Sequence, residues 1–309
     1  MNNSILDDFK IAFRTGNILN QLIIINVVVF AVLGIVGVFL TFAGQGEFYD
    51  TITEYLSLPA DPAQFIKQPW SIITYFFLHK GFFHILWNML FMYWFGRIIS
   101  EYLGQNKLLG LYVWGGIGGG VLYMLAYNLL PYFAGAVSHS VLLGASGGVI
   151  AIVVGAATFQ PNYAVHLIFL GPVKLKYIAG FYVISSFLQS TGTNAGGEIA
   201  HLGGALMGYL AMSQLQRGND WSKPVVQFVT WVKSLFKPQP KIKVSYRSER
   251  KSSSQKKATS SSRKAKSAPS ASSVTPQEEI DAILDKISER GYDALTKEEK
   301  QKLFNASKD

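Results

Sequence analysis

The chain has 309 residues and a net charge of +9, yet only 15% of its residues are charged, against ~25% in soluble domains. No Asp, Glu, Lys or Arg occurs from residue 108 to 173 or from 177 to 197. This argues against a water-exposed surface there and indicates lipid as the solvent. The chain has no cysteine, which excludes disulfides, a thiolate nucleophile and a cysteine-ligated metal.

Six hydrophobic segments predict an all-α polytopic membrane protein with six transmembrane helices. They span residues 20–42, 82–103, 107–130, 142–159, 175–188 and 199–215. A helix needs ~20 residues to cross a bilayer, so the last three are short, which is typical of helices enclosed by others. The first segment is too long for a signal peptide and has no small-residue cleavage site, so we expect it to be retained.

The distribution of Lys and Arg predicts the orientation of these helices. With the N-terminus inside, the outer loops carry only Lys67 and Lys80. The inner loops carry the other basic residues that precede the tail: Lys10, Arg14, Arg97, Lys107, Lys174, Lys176 and Arg217. The positive-inside rule therefore predicts a multi-pass protein of the cell membrane with both termini in the cytoplasm.

Polar residues within the predicted spans are candidates for function because they are costly to bury in lipid. In the second span, His84 and Asn88 are four residues apart and share one helix face. Both can donate side-chain hydrogen bonds to an oxyanion, and an interhelical hydrogen-bonding pair is the alternative. Glu101 lies at the other end of this span, too far away to act with them.

A glycine-flanked serine opens the fourth span, in the sequence Gly144–Ala145–Ser146–Gly147–Gly148. The glycines let a substrate approach closely, and a helix N-terminus offers free N–H groups to a developing oxyanion. The string also fits the nucleophile elbow of soluble α/β hydrolases, but that elbow requires a preceding strand in a sheet. Ser146 is therefore a candidate nucleophile, and a small-residue helix contact is the alternative.

The sixth span carries His201 beside Ala200, Gly204 and Gly208, which form a small-residue face that permits close contact with another helix. If that helix is the fourth span, His201 can reach Ser146 and act as its base. No carboxylate within the spans is expected to orient His201, which favours a Ser–His dyad over a triad. A metal site is disfavoured because His84 and His201 lack a third ligand.

The tail after residue 217 carries most of the net charge, with nineteen basic and eleven acidic residues. Residues 218–236 predict an amphipathic helix on the membrane surface. Residues 237–274, rich in Ser and Lys, predict a disordered linker that either contacts anionic lipid or is a solvated spacer. Residues 275–309 predict a helical hairpin with two capping boxes, which either binds a cytoplasmic partner or packs on the membrane domain.

Together these motifs resemble the rhomboid family of intramembrane serine proteases, over residues 69–215 within a membrane domain of residues 1–217. The motifs occur in the family's order: His84-x-x-x-Asn88, Glu101-x-x-Gly104, Gly144-x-Ser146-Gly147 and Ala200-His201-x-x-Gly204-x-x-x-Gly208.

The resemblance implies an endopeptidase without cofactor that cuts single-span membrane proteins in or near their transmembrane segments. It implies Ser146 as nucleophile and His201 as general base, then general acid. It also implies an oxyanion hole made by the Ser146 backbone N–H with the side chains of His84 and Asn88. The partners would be membrane protein substrates and the lipid bilayer, with no nucleic acid.

Two features remain open at this point. Ile150 stands where some family members have a tyrosine that stacks on the base, so the sequence names no residue that holds the His201 ring. The alternative function is a catalytically inactive relative that binds membrane proteins, although such a relative is expected to have lost the serine or the histidine.

Overall fold

The computed structural model describes residues 17–167, 171–235, 276–290 and 292–306. All of the predicted linker, 237–274, lies outside these residues, as do Lys10 and Arg14. The chain forms two compact units, Met1–Pro240 and Lys241–Asp309, and each is described by itself.

The first unit is mostly helical, and its long helices fall on the predicted hydrophobic segments. The helices are α1 (Ile18–Phe42), α2 (Gly46–Leu56), α3 (Pro62–Lys67), α4 (Ser71–Thr74), α5 (Phe82–Leu103), α6 (Gln105–Leu129), α7 (Ser146–Phe159), α8 (Leu175–Gln189), α9 (Ala195–Gln216) and α10 (Ser222–Leu235). The strands are β1 (Leu58–Pro59), β2 (Val141–Leu142), β3 (Ala164–Leu167) and β4 (Gly171–Lys174), and two 3₁₀ turns cover Tyr75–Phe77 and Pro131–Ala136.

Helices α6, α7 and α9 form the centre of this unit because glycines let their backbones touch. A Cβ atom at Gly204 of α9 would lie 2.1 Å from the carbonyl oxygen of Gly147 in α7. One turn later, a Cβ atom at Gly208 would lie 2.3 Å from the carbonyl oxygen of Ala151. The small-residue face predicted on the sixth segment therefore packs against the fourth segment.

The segment between α1 and α5 folds back into the helical core. Strand β1 pairs antiparallel with β2, with Leu58 opposite Leu142. Tyr75 is buried; its hydroxyl donates to the carbonyl oxygen of Gly116 at 2.5 Å, and its own carbonyl accepts from the N–H of Gly144 at 3.0 Å. This pairing explains why α7 begins at Ser146 rather than at Leu142, where the fourth span was predicted to begin.

Trp70 anchors the same segment at its other end. Its indole N–H donates to the carbonyl oxygen of Tyr55 at 3.0 Å, and the two rings lie 4.7 Å apart. Thr74 adds a hydrogen bond of 2.6 Å to the carbonyl oxygen of Leu56. The loop is therefore fixed by side-chain hydrogen bonds to backbone carbonyls.

The outer helices present large apolar side chains to the exterior. In α8, Phe181 is 70% exposed and Phe187 is 67% exposed, and in α1 Phe39 is 69% exposed. Soluble proteins rarely expose so much contiguous apolar surface, whereas a lipid environment requires it.

Length and composition alone identify two helices that can cross a membrane within the described residues, α1 and α6. Helix α7 is apolar but has only 14 residues. Helix α8 has 15 residues, and α5 and α9 carry polar side chains that lower their hydropathy.

Helix α10 is attached to α6 by polar contacts near its start. Lys107 forms a salt bridge with Asp220, and the indole N–H of Trp114 donates to the carbonyl oxygen of Trp221 at 2.8 Å. Burial raises the pKa of Asp220, but the hydrogen bonds from Lys107 and Ser222 outweigh this effect and lower the pKa overall. The rest of α10 leaves Phe228 and Trp231 exposed.

The second unit contains α11 (Pro276–Arg290), a 3₁₀ turn (Tyr292–Ala294) and α12 (Lys297–Ala306). Thr296 and Glu299 exchange the two hydrogen bonds of a capping box at the start of α12. Lys286 of α11 binds Glu299 at 2.8 Å, and this contact lowers the pKa of Glu299 to about 2. Ile283 of α11 and Leu295, which precedes α12, are both buried.

Candidate active site

The loop before α7 brings Ser146 to the N-terminus of that helix, next to α5. Gly144 adopts a φ of +131°, which side-chain-bearing residues rarely adopt. A Cβ atom there would lie 3.0 Å from His84 Nε2 and 3.6 Å from Ser146 Oγ, so the imidazole and the hydroxyl face one small space. Glycine is therefore required at residue 144 by both the backbone conformation and the approach of His84.

His84 and Asn88 lie one turn apart on the face of α5 that faces Ser146. Asn88 is buried, and its side-chain amide donates to the carbonyl oxygen of His84 at 2.8 Å. An amide nitrogen carries two hydrogens, so Asn88 keeps a second donor for another group. Both residues belong to the lining of the cavity that contains Ser146.

His201 lies on α9 and has two polar neighbours at one ring nitrogen. Its Nδ1 is 3.1 Å from Oε2 of Glu198 on the same helix and 3.1 Å from Oγ of Ser186 on α8. The histidine and the carboxylate are 17% and 13% exposed, respectively. The expectation that no carboxylate orients His201 is therefore wrong.

Sequence reasoning missed Glu198 because the sixth span was predicted to begin at Ile199, which placed this residue in a loop. The helix begins four residues earlier, at Ala195. The signal that could have found it is the spacing of three residues between Glu198 and His201, which places both on one helix face. Ser186 carries no comparable signal, because its contact with His201 joins two helices.

One cavity of about 370 Å³ joins these residues. Ser146, His201, His84 and Asn88 all line it, together with apolar side chains that include Val149, Ile150 and Tyr182. No hydrogen bond joins Ser146 Oγ to His201 within the described residues, and catalytic hydrogen bonds are often long in unliganded sites. The arrangement places a hydroxyl, two imidazole rings and a carboxamide around one space.

A second cavity of about 470 Å³ adjoins the first and is more polar. It is lined in part by Lys80, His139, Ser140 and Thr193, and it shares His84 and three other lining residues with the first cavity.

His79 lies beside this region, with its ring 5.0 Å from that of His84. Burial and the neighbouring His84 lower the pKa of His79 to about 4, so its ring is neutral at pH 7.

The remaining predicted site residues lie outside the cavities. Glu101 pairs with Arg97 on the exposed end of α5, at an N–O distance of 2.6 Å. Gly147, Gly204 and Gly208 form the close contact between α7 and α9 and so fix the helices that carry Ser146 and His201.

Residues 67–217 match the model of a family described as the Rhomboid domain, and residues 271–309 match a family of unknown function, DUF6576.

Three curated relatives cover the first of these regions. RHOMBOID-like protein 12, mitochondrial, of Arabidopsis thaliana is 33% identical over 48% of this chain and 47% of its own length. Rhomboid protein 1, mitochondrial, of Saccharomyces cerevisiae is 33% identical over 52% of this chain and 44% of its own. Rhomboid protease GlpG of Serratia proteamaculans is 26% identical over 52% of this chain and 53% of its own. The chain thus spans about half the length of each.

Proposed function

Because the chain belongs to the rhomboid family, we propose that it is an intramembrane serine endopeptidase. Its substrates would be single-span membrane proteins, cut in or near their transmembrane segments. The observation that carries the proposal is the shared cavity, in which Ser146, His201, His84 and Asn88 line one space of about 370 Å³.

The proposed reaction begins when Ser146 Oγ attacks the scissile carbonyl carbon and His201 accepts the hydroxyl proton. The backbone N–H of Ser146 and the side chains of His84 and Asn88 stabilise the negative charge on the carbonyl oxygen. His201 then protonates the leaving amine, and an acyl-enzyme remains on Ser146. A water molecule gives a proton to His201 and attacks the acyl carbon. The bond to Ser146 Oγ then breaks, His201 returns the proton to Ser146, and the new carboxyl end is released.

The proposed source of water for this second step is the polar cavity beside the site. That cavity contacts the catalytic one through His84 and Asn194, and its lining includes His139 and Ser140. The neutral His79 ring adds polar atoms near the boundary without adding charge. This supports a path for water to a nucleophile that is otherwise surrounded by apolar side chains.

We propose that the helices α1, α5, α6, α7, α8 and α9 are six transmembrane spans with both ends of the chain in the cytoplasm. The exposed apolar side chains of α1 and α8 support contact with lipid, and the loop charges support the orientation. The short helix α7 is buried among its neighbours and needs no full bilayer length of its own.

The cytoplasmic tail has a separate proposed role at the membrane surface. Helix α10 exposes Phe228, Trp231 and Leu235, and Lys223 and Lys233 lie on the same helix. Apolar and basic side chains together favour binding at an anionic lipid surface. We propose that the hairpin of residues 275–309 binds a cytoplasmic partner.

The decisive experiment is cleavage of a tagged single-span reporter by the wild type and by the variants Ser146→Ala and His201→Ala. We expect both variants to lose cleavage by a factor on the order of 10³ or more, since each removes a reacting group. Ser234→Ala and His166→Ala are matched controls, because both side chains are exposed and lie outside the cavities. Cleavage that survives in Ser146→Ala would refute the assigned nucleophile.

A further inference from the structure

The buried end of α9 holds a cluster that the Ser–His dyad does not need. Glu198 and Ser186 both approach the same nitrogen of His201, each at 3.1 Å. The Glu198 carboxylate also interacts with the side chains of Ser186 and Asn194. These contacts come from α8, from the start of α9 and from the residue before it, so the cluster fixes the ring from two helices.

The chemistry of the cluster determines which ring nitrogen carries the proton. An ionised carboxylate only accepts hydrogen bonds, so Nδ1 of His201 must be the donor in its contact with Glu198. In the neutral ring the other nitrogen, Nε2, then has a free lone pair. That lone pair is what a base needs in order to accept the proton of Ser146.

The charges around His201 leave Glu198 as its main electrostatic partner. Among the described residues that line its cavity, the other titratable side chains are His84 on α5 and Tyr182 on α8, and α7 contributes the Ser146 hydroxyl. When His201 accepts a proton, Glu198 is the one negative charge in direct contact with it. Because both side chains are largely shielded from water, this attraction is stronger than between exposed groups.

Because Ile150 lines this cavity, the ring of His201 must be oriented by other residues. The Ile150 side chain is buried and lines the same cavity, but an aliphatic group cannot hold the ring of His201 by stacking or by a hydrogen bond. The polar contacts at Nδ1 supply the orientation instead.

We propose that Glu198 is a positioning residue that holds His201 in the Nδ1–H tautomer and stabilises its protonated form, with Ser186 as a second contact. This inference rests on the proposed protease function, because it assigns a role at the same site. Glu198 touches neither substrate nor the reacting atoms and acts through His201.

The kinetic test compares full-length wild type with Glu198→Gln in detergent micelles, on a purified single-span substrate. We expect kcat to fall about 10²-fold while KM stays within about twofold, because the amide can donate to Nδ1 and favour the wrong tautomer. Glu47→Gln is the matched control, since this carboxylate is exposed in the first turn of α2.

A second readout does not depend on catalysis. ¹⁵N-imidazole NMR of the full-length protein reports the tautomer of each of its five histidines, and the His201→Asn spectrum assigns the signal. We expect Nδ1–H for His201 in the wild type and a mixture of tautomers in Glu198→Gln. Ser186→Ala should lower kcat by about threefold to tenfold, with Ser185→Ala on the same helix as its control.

The outcomes separate the two claims. A kcat of Glu198→Gln within threefold of wild type, or an Nε2–H tautomer for His201 in the wild type, would overturn the role of Glu198. A fall in kcat with an unchanged tautomer would overturn it as well, since that result indicates a merely structural effect. Undiminished cleavage by Ser146→Ala would instead overturn the proposed nucleophile, and the NMR spectrum would still decide on Glu198.

Discussion

Helices α7 and α9 touch backbone to backbone, whereas α8 meets its neighbours through side chains. The contact of α9 with α7 leaves no room for a Cβ atom at Gly204, while Gly180 of α8 has no atom within 4 Å of such a position. Most of α8 is open, and its buried residues are Leu175, Ile178, Ala179 and Ser186. The contact between α7 and α9 therefore sets the distance from Ser146 to His201, and α8 is packed less tightly.

The largest expected effect on stability is that of replacing a glycine by alanine where α7 and α9 touch. The same replacement in α8 is the comparison. Gly204→Ala places a methyl group 2.1 Å from the Gly147 carbonyl oxygen, so α7 and α9 must separate. We expect a loss of about 3 kcal/mol or more in the free energy of unfolding. Gly180→Ala meets open space and should change stability by less than about 1 kcal/mol, in the stabilising direction.

Unfolding in detergent micelles, followed by circular dichroism, measures both variants under the same conditions. Equal stability of the two variants would contradict the view that α7 and α9 pack through their backbones whereas α8 packs through side chains. Loss of activity in Gly204→Ala should accompany the loss of stability, whereas Gly180→Ala should remain active.

For Gly144→Ala we expect a smaller loss of stability than for Gly204→Ala, together with a large loss of activity. The alanine must adopt a φ of +131° and place its methyl 3.0 Å from His84 Nε2. We expect about 1–3 kcal/mol of destabilisation and a fall in kcat on the order of 10²-fold, because His84 is displaced from the oxyanion. Activity close to that of the wild type, measured on the same reporter, would contradict the placement of His84 in the oxyanion hole.

The smallest effect concerns α10, which is held to α6 by the Lys107–Asp220 pair. The pKa of Asp220 lies below its ordinary range in the folded state, although burial alone would raise it, because Lys107 and Ser222 stabilise the charge. The resulting stabilisation is present above pH ~4 and is lost as the pH falls below that value. We expect a loss of about 1 kcal/mol in the attachment of α10.

Hydrogen exchange of the α10 amides, corrected for intrinsic rates, tests this between pH 7 and pH 3. Asp220→Asn should show the weaker protection already at pH 7 and little further change on acidification. Identical protection in wild type and variant at neutral pH would mean that the Trp114–Trp221 contact alone holds the helix.

The sequence predicted the long helices well because each one carries its own signal. The second predicted segment coincides with α5, since Gly81 and Gly104 bound a run of apolar residues. The sequence predicted the structure less well where contacts join segments that are distant along the chain. The pairing of Leu58 with Leu142 shortens the fourth segment, and no local pattern around either residue indicates that partner.

The same limit applies to the site. Ser146, His201, His84 and Asn88 could be proposed from glycine patterns and helical spacing, and all four line one cavity. Glu198 was missed by an error of four residues in a helix boundary, which is where sequence patterns carry least information. Ser186 was missed because only the packing of α8 against α9 brings it to His201.

The pairing of β1 with β2 also has a consequence for the order of biosynthesis. Leu58 leaves the ribosome more than eighty residues before its partner Leu142, and Tyr75 leaves it about seventy residues before Gly144, whose N–H donates to its carbonyl oxygen. The serine loop therefore cannot take up its shape until α6 has been made and the early segment has been captured. A nascent chain inserted only as far as α6 contains His84 and Asn88 but not yet Ser146, so under the proposed function it cannot cleave neighbouring membrane proteins until its last helices are in place.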